Sequence, residues 1–195
     1  SGRVLRITRD GSIPKDNPWL ERATVAPETF AHGFKDPEGA AIHPTTGELW
    51  IVDHGPQGGD ELNIVRGGRD YGWPDVSYGV QYDGQRTDGR KNVPVGNGAH
   101  SMKGIEEPLY YWVPSIAPSG MAFYTGDLFP QWKGNLFVGA MSANHGQHLV
   151  RLVLNGERVI AEEKLLADLK RRIREVRQGP DGALYLFAGD ALLKL

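Results

Sequence analysis

The chain contains no cysteine, which excludes disulfides, thiolate metal sites and a cysteine nucleophile. No apolar run approaches the length of a membrane span. No apolar signal core precedes the strand-like start Arg3-Val4-Leu5-Arg6-Ile7. The beginning therefore reads as a chain whose leader has been removed or one that starts mid-fold, and a periplasmic or secreted home is expected. Net charge is only −2, so no global basic field recruits nucleic acid. Gly-x-Gly-x-x-Gly before a helix is missing, against a nucleotide-binding fold. So is Gly-x-Ser-x-Gly, because Ser119-Gly120 sits in a proline-rich turn. Helical periodicity is scarce as well: residues 159–169 read as one short helix or equally as a strand plus loop.

What the sequence does hold is turn chemistry. Its 195 residues include 26 glycines and 13 prolines, lying between short apolar runs. That composition is expected of an all-β protein with many turns. Strands are expected over residues 3–8, 39–43, 48–53, 62–65, 121–124, 134–139, 145–154, 173–177, 183–187 and 192–195, with Asn155-Gly156 a hairpin signal. Residues 75–107 are polar and glycine-rich and read as one long loop excursion.

The chain also repeats itself. PEGAAIHPTTGELWIVDHG, PSGMAFYTGDLFPQWKGNLFVGA and QGPDGALYLFAGD share Pro and Gly, then Gly-x-Leu-aromatic followed by a strand. Self-similarity of this kind in an all-β chain points to a β-propeller or another radial array. Three such frames make about three blades and about half a ring, read as a single partial domain over residues 1–195. The exposed edges of a half-ring predict a missing half or a homo-oligomeric partner that covers them.

The loop His54 to Asp60, with Gly55, Pro56, Gly58 and Gly59, ends in the acidic pair Asp60-Glu61. Glycines allow backbone carbonyls to turn to one point, and adjacent carboxylates supply hard oxygens, which together suit Ca²⁺. A plain turn is the other reading of the same residues. His145 and His148 stand three apart, but a zinc site there needs ligands that the sequence does not display.

Six longer motifs carry more information: HPTTGELW, HGPQGGDELN, GGRDYGWP, YYWVPSIAPSGMAFYTGD, FPQWKGNLFVGA and RIREVRQGPDGALY. Through them the chain resembles, over nearly its whole length, the pyrroloquinoline quinone (PQQ)-dependent soluble aldose sugar dehydrogenases of the glucose/sorbosone dehydrogenase family. The resemblance implies a six-bladed β-propeller of which this chain is the C-terminal half. It implies PQQ and Ca²⁺ as cofactors and an aldose sugar as substrate. Gly55 and Pro56 would offer carbonyls to the calcium that also holds the quinone, and Glu61 and the Tyr71 backbone would serve a second, structural calcium. Tyr82 would line the quinone pocket, to which the segments Lys35-Asp36, Ala140-Met141-Ser142 and Arg172-Ile173-Arg174 would also belong. Arg172 and Arg174, two apart on a strand, would reach one ligand together, and arginine suits a tricarboxylate. A solvated strand face is the other reading of those two residues.

The sequence departs from that family in three places. Lys35-Asp36 stands where Arg-Asn is usual, which loses the guanidinium fork and adds a negative group. Ser142 stands where some members place a lysine, beside an insertion around Ala143-Asn144-His145. The family's catalytic histidine belongs to the half not represented here, so no catalytic residue is assigned, and neither His43 nor His54 is given that role. Two functions follow from the sequence: the cofactor-binding half of a PQQ- and calcium-dependent sugar dehydrogenase, or a non-catalytic propeller module or half-propeller that oligomerises to close a ring, without tight quinone binding.

Overall fold

A computed structural model describes residues 2–82 and 89–195; the segment 83–88 of the expected loop excursion lies outside the described residues. Thirteen strands run in chain order among the described residues: β1 (Gly2–Leu5), β2 (Thr29–Phe34), β3 (Pro37–Ile42), β4 (Leu49–Asp53), β5 (Asp60–Val65), β6 (Tyr110–Trp112), β7 (Pro118–Phe123), β8 (Leu136–Ala140), β9 (Leu149–Asn155), β10 (Arg158–Leu165), β11 (Ile173–Gln178), β12 (Leu184–Ala188) and β13 (Ala191–Lys194). They form antiparallel sheets β1-β2, β3-β4-β5-β6, β7-β8-β9-β10 and β11-β12-β13. The first strands of the last three sheets face one another: β3 packs on β7, and β11 packs on β7 and β8. This is the radial arrangement of a β-propeller, with about half the ring present.

Each apolar cluster fills the space between two neighbouring sheets. Trp50, Leu62, Trp112, Met121, Leu136 and Val150 join the second sheet to the third. Phe137, Leu149, Ile173, Val176, Leu184 and Leu186 join the third to the fourth. Ala31, Phe34, Ile51, Val65 and Tyr71 join the first to the second. Burial therefore follows position in the array. Strand β7, held between β3 and β11, is buried throughout. Strand β3 lies at one end of that stack, and its Ile42 is 60% exposed.

The repeated glycines have two separate physical reasons. Gly47, Gly134 and Gly182, the first residues of Gly-x-Leu-aromatic, turn the chain between the first and second strands of the last three sheets, with left-handed φ of 73°, 82° and 78°. Gly39 and Gly120 instead permit close approach of the innermost strands. A Cβ on Gly39 would stand 2.1 Å from the Ser119 carbonyl oxygen, and one on Gly120 would stand 2.7 Å from the Glu175 Cα.

Residues 159–169 are not a helix. Strand β10 pairs along β9 from the Asn155-Gly156 hairpin, and a single 3-10 turn, Ala167–Leu169, follows it. The reason is its place at the outer edge of the sheet, where none of its residues is fully buried and the polar run Glu162-Glu163-Lys164 is tolerated. Strand β2, absent from the sequence reading, packs Ala31 and Phe34 into the first interface.

Candidate functional site

The loop 54–59 joins β4 to β5, and its glycines are required by contact as well as by turning. Gly58 and Gly59 have left-handed φ of 82° and 71°. A Cβ on Gly59 would fall 2.4 Å from the Gly79 nitrogen, so the excursion after β5 lies directly on this loop. Gln57 and Val80 exchange backbone hydrogen bonds across the same contact.

Two buried carboxylates hold the surroundings in place. Asp53, at the end of β4, accepts the backbone N–H of Lys35 (2.9 Å) and of Asp36 (2.6 Å). Asp60, at the start of β5 and wholly buried, accepts the N–H of Gly55 (3.0 Å), Ile116 (2.7 Å) and Ala117 (3.1 Å) and the Ser115 hydroxyl (2.9 Å). The expectation that Asp60 and Glu61 act as one acidic pair is therefore corrected. Consecutive strand residues point to opposite faces, so the oxygens of Asp60 are taken up by backbone N–H groups while Glu61 faces elsewhere.

Glu61 lines a small internal cavity of about 10 Å³ together with Asp53, Tyr71, Trp73, Ser77 and the glycines at 33, 55 and 59. That is room for one water-sized guest. Asn63 Nδ2 donates to Glu61 Oε2 at 3.1 Å. Burial drives the Glu61 carboxyl up to about 8, against the lowering effect of Asn63, and the negative charges of Asp53, Glu107 and Asp60 add to the rise. Burial also raises Asp53, to about 6, against its two backbone donors and Lys35. Asp60 is raised by burial, with Ser115, His54 and its backbone donors opposing. Two raised carboxyls, Asp53 and Glu61, thus face one small void, and Lys35 is the cation on its lining. The Tyr71 hydroxyl donates to the Ile64 carbonyl at 2.6 Å, and its ring stacks on Phe34 with centroids 4.4 Å apart.

On the other side of the loop lies an open cleft of about 640 Å³, lined among others by His54, Pro56, Tyr82, Ser115, Ala117 and Ser142. Its size is that of a small-molecule site. The Tyr82 hydroxyl donates to the Gly55 carbonyl at 3.4 Å. Lys35 Nζ donates to the His54 carbonyl at 2.9 Å and stands 5.7 Å from the Tyr82 ring centroid. Lys35, Gly55 and Tyr82 are thereby brought together, as are Glu61 and Tyr71 around the small cavity.

The other expected residues are placed differently. Ala140 and Met141 are buried, and only Ser142 of that segment lines the cleft. The Met141 and Ser142 N–H groups donate to the Ile116 carbonyl at 3.0 and 2.9 Å, tying the end of β8 to the turn before β7. Ile173 is buried in the core, and its carbonyl accepts the Ser119 hydroxyl at 2.6 Å. Arg172 and Arg174 are exposed on either side of it, with Arg172 just ahead of β11, and neither lines the cleft. Arg174 Nη1 donates to Glu38 Oε2 at 3.4 Å. Asp36, Glu38 and His54 bring ligand atoms within 4.8 Å of one another, with both carboxylates exposed. Asp53 and Ser115 were not singled out from the sequence. An aspartate closing a strand before a glycine loop is a faint signal, and the contact between Ser115 and Asp60 spans 55 residues.

Comparison with known proteins agrees with this architecture. "Aldose sugar dehydrogenase YliI" of Escherichia coli (strain K12) is 39% identical over 190 residues, covering 97% of this chain and 48% of that protein. "Quinoprotein glucose dehydrogenase B" of Acinetobacter calcoaceticus is 42% identical over 76 residues, covering 39% of this chain and 15% of that protein. A crystal structure described as a glucose dehydrogenase superposes with a TM-score of 0.91 at 45% identity, covering 100% of this chain and 54% of that one. The chain thus spans about half the length of YliI and of that solved structure. The glucose/sorbosone dehydrogenase family model matches residues 1–194, and with this the repeated glycine turns, the radial sheets and the Gly-Pro loop fall into place: the chain belongs to the glucose/sorbosone dehydrogenase family.

Proposed function

We propose that this chain is the cofactor-binding half of a PQQ- and calcium-dependent aldose sugar dehydrogenase. The observation that carries the reading is Glu61: a carboxyl raised to about 8, beside Asp53, on a void of one-ion size. A hard cation there would remove the cost of crowding these carboxylates, and oxygen ligands suit calcium. Glu61 and Tyr71 would hold this structural calcium. Gly55 and Pro56, between the small cavity and the cleft, would hold the second, cofactor-associated calcium. The cleft beside Tyr82 and Ser142 has the volume for a flat heterocycle. Lys35, on the lining of the small cavity, reaches the His54 carbonyl and brings a cation beside Tyr82, and Arg172 and Arg174 would have to turn toward the cleft to add two more. Held there, a quinone would supply a hydride acceptor and a calcium ion would supply Lewis acidity. This chain's residues would bind and orient the cofactor. The base that removes the sugar proton would come from the remaining blades, supplied by a longer protein or a second copy. The similarity to YliI and to the Acinetobacter quinoprotein supports this reading, and a periplasmic or secreted location goes with it. No helix among the described residues is long and apolar enough to cross a membrane.

One observation favours a non-catalytic propeller module instead. Arg174 is already engaged by Glu38, and the exposed carboxylate of Asp36 stands near the site that would receive a tricarboxylate. A calcium-dependent PQQ titration on a column that reports molecular mass separates the two. Saturable binding that disappears in chelator supports the dehydrogenase reading, and Arg172→Ala or Arg174→Ala should then weaken it with the fold intact. No binding at any mass leaves the module reading in its place.

A further inference from the structure

We infer that Asp53 and Asp60 are positioning residues that fix the turn at 35–36 and two loops of the cleft, 54–59 and 115–117, relative to one another. The inference rests on the reading of this cleft as a cofactor site. The two side chains sit on the neighbouring strands β4 and β5, where Asp53 pairs in register with Glu61. Between them they accept five backbone N–H groups from segments far apart in sequence: Lys35 and Asp36 on Asp53, and Gly55, Ile116 and Ala117 on Asp60. The segments so gathered have little stiffness of their own. The 54–59 loop is glycine-rich, and Ala117 holds a left-handed φ of 51° that a non-glycine residue adopts only under external constraint. Hydrogen bonds to carboxylates are the strong ones, and none of these five donors belongs to a sheet ladder that would hold it otherwise.

The consequence reaches beyond the two residues. Asp60 aligns Gly55, whose carbonyl Tyr82 also contacts, with the 115–117 turn forming another wall of the cleft. The end of β8 follows that turn through Met141 and Ser142. Asp53 sets the turn from which Lys35 reaches the His54 carbonyl, so both carboxylates bear on loop 54–59 from different directions. The cleft's width is set by these links and not by apolar packing, since its loops contribute few residues to the three apolar clusters.

Amide hydrogen exchange on the full chain tests this directly, with Asp53→Asn, Asp60→Asn and Ser115→Ala beside the wild type. Loss of a charged acceptor should speed exchange by about ten- to a hundredfold at the amides it held. In Asp60→Asn these are Gly55, Ile116 and Ala117, with Lys35 and Asp36 unchanged. In Asp53→Asn the pattern reverses, and in both the amides of β8 stay protected. Exchange that rises uniformly, or in neither set, overturns the proposal. Should Asp60→Asn fail to fold, Ser115→Ala serves. It removes the hydroxyl that the Ala117 N–H also reaches at 3.1 Å, so exchange should rise at Ala117 while Gly55 and Ile116, still held by Asp60, stay protected, and an equal rise at all three is fatal. The second arm is the PQQ titration in calcium, where each locally opened variant should bind at least about tenfold more weakly. Wild-type affinity in such a variant refutes the positioning role. Failure of the wild type itself to bind PQQ sinks the reading of the cleft but not of the clamps, which the exchange pattern then decides.

Discussion

Glu61→Gln should reverse its effect on stability between chelator and calcium. The Glu61 carboxyl moves from 4.5 to about 8 on folding, chiefly through burial. A raised acid gives the folded chain a proton that the unfolded chain has already released. Stability is therefore fullest below pH 4.5 and falls as pH rises through the window up to about 8, by roughly 1.4 kcal/mol per pH unit. Across the window this comes to about 5 kcal/mol, an upper figure because Glu61 keeps some contact with solvent. Glutamine has nearly the same shape and no charge, so it escapes this loss. In chelator the two proteins should unfold within about 1 kcal/mol of each other at pH 5, and the variant should become the more stable by several kcal/mol at pH 8. In calcium the order should invert, because an ionised Glu61 paired with the ion turns the penalty into binding energy. Urea unfolding at pH 5, 6.5 and 8, with and without calcium, measures all of it. Parallel pH profiles in chelator would show that Glu61 does not ionise against burial. An equal gain from calcium in both proteins would show that it does not bind the ion.

Three further outcomes follow from the geometry. Gly134→Ala should cost about 1–2 kcal/mol, the strain of a left-handed φ with open space around it, whereas Gly120→Ala meets the Glu175 backbone and should abolish folding or cost far more; thermal unfolding of both gives the comparison. Ser119→Ala should destabilise by about 1–3 kcal/mol in urea, because its buried hydroxyl donates to the Ile173 carbonyl of β11 at 2.6 Å, with the Gly139 carbonyl of β8 as the alternative acceptor at 3.0 Å. Asp53 is raised by burial to about 6, so Asp53→Asn should flatten the fall in stability in chelator between pH 4 and 6, and an unaltered slope would refute that burial cost.

The sequence by itself determined the fold class and its repeat. Gly-x-Leu-aromatic announces a turn and a buried strand because only glycine adopts the left-handed φ found at Gly47, Gly134 and Gly182 without strain. Those constraints are local, so they are written locally. The loop at Gly55 and Pro56 was legible for the same reason. Tertiary structure decided everything that depends on which element lies alongside. The run at 159–169 became a strand because β9 offered it an edge, although its own residues allowed either form. The adjacent acids Asp60 and Glu61 took opposite tasks because a strand alternates its faces and different neighbours occupy each one. Arg174 found Glu38 across 136 residues, and Ser115 found Asp60 across 55. Spacing along the chain carries no information about such contacts. They arise only when the sheets assemble radially and bring the ends of β4, β5, β8 and the turn before β7 to a single place.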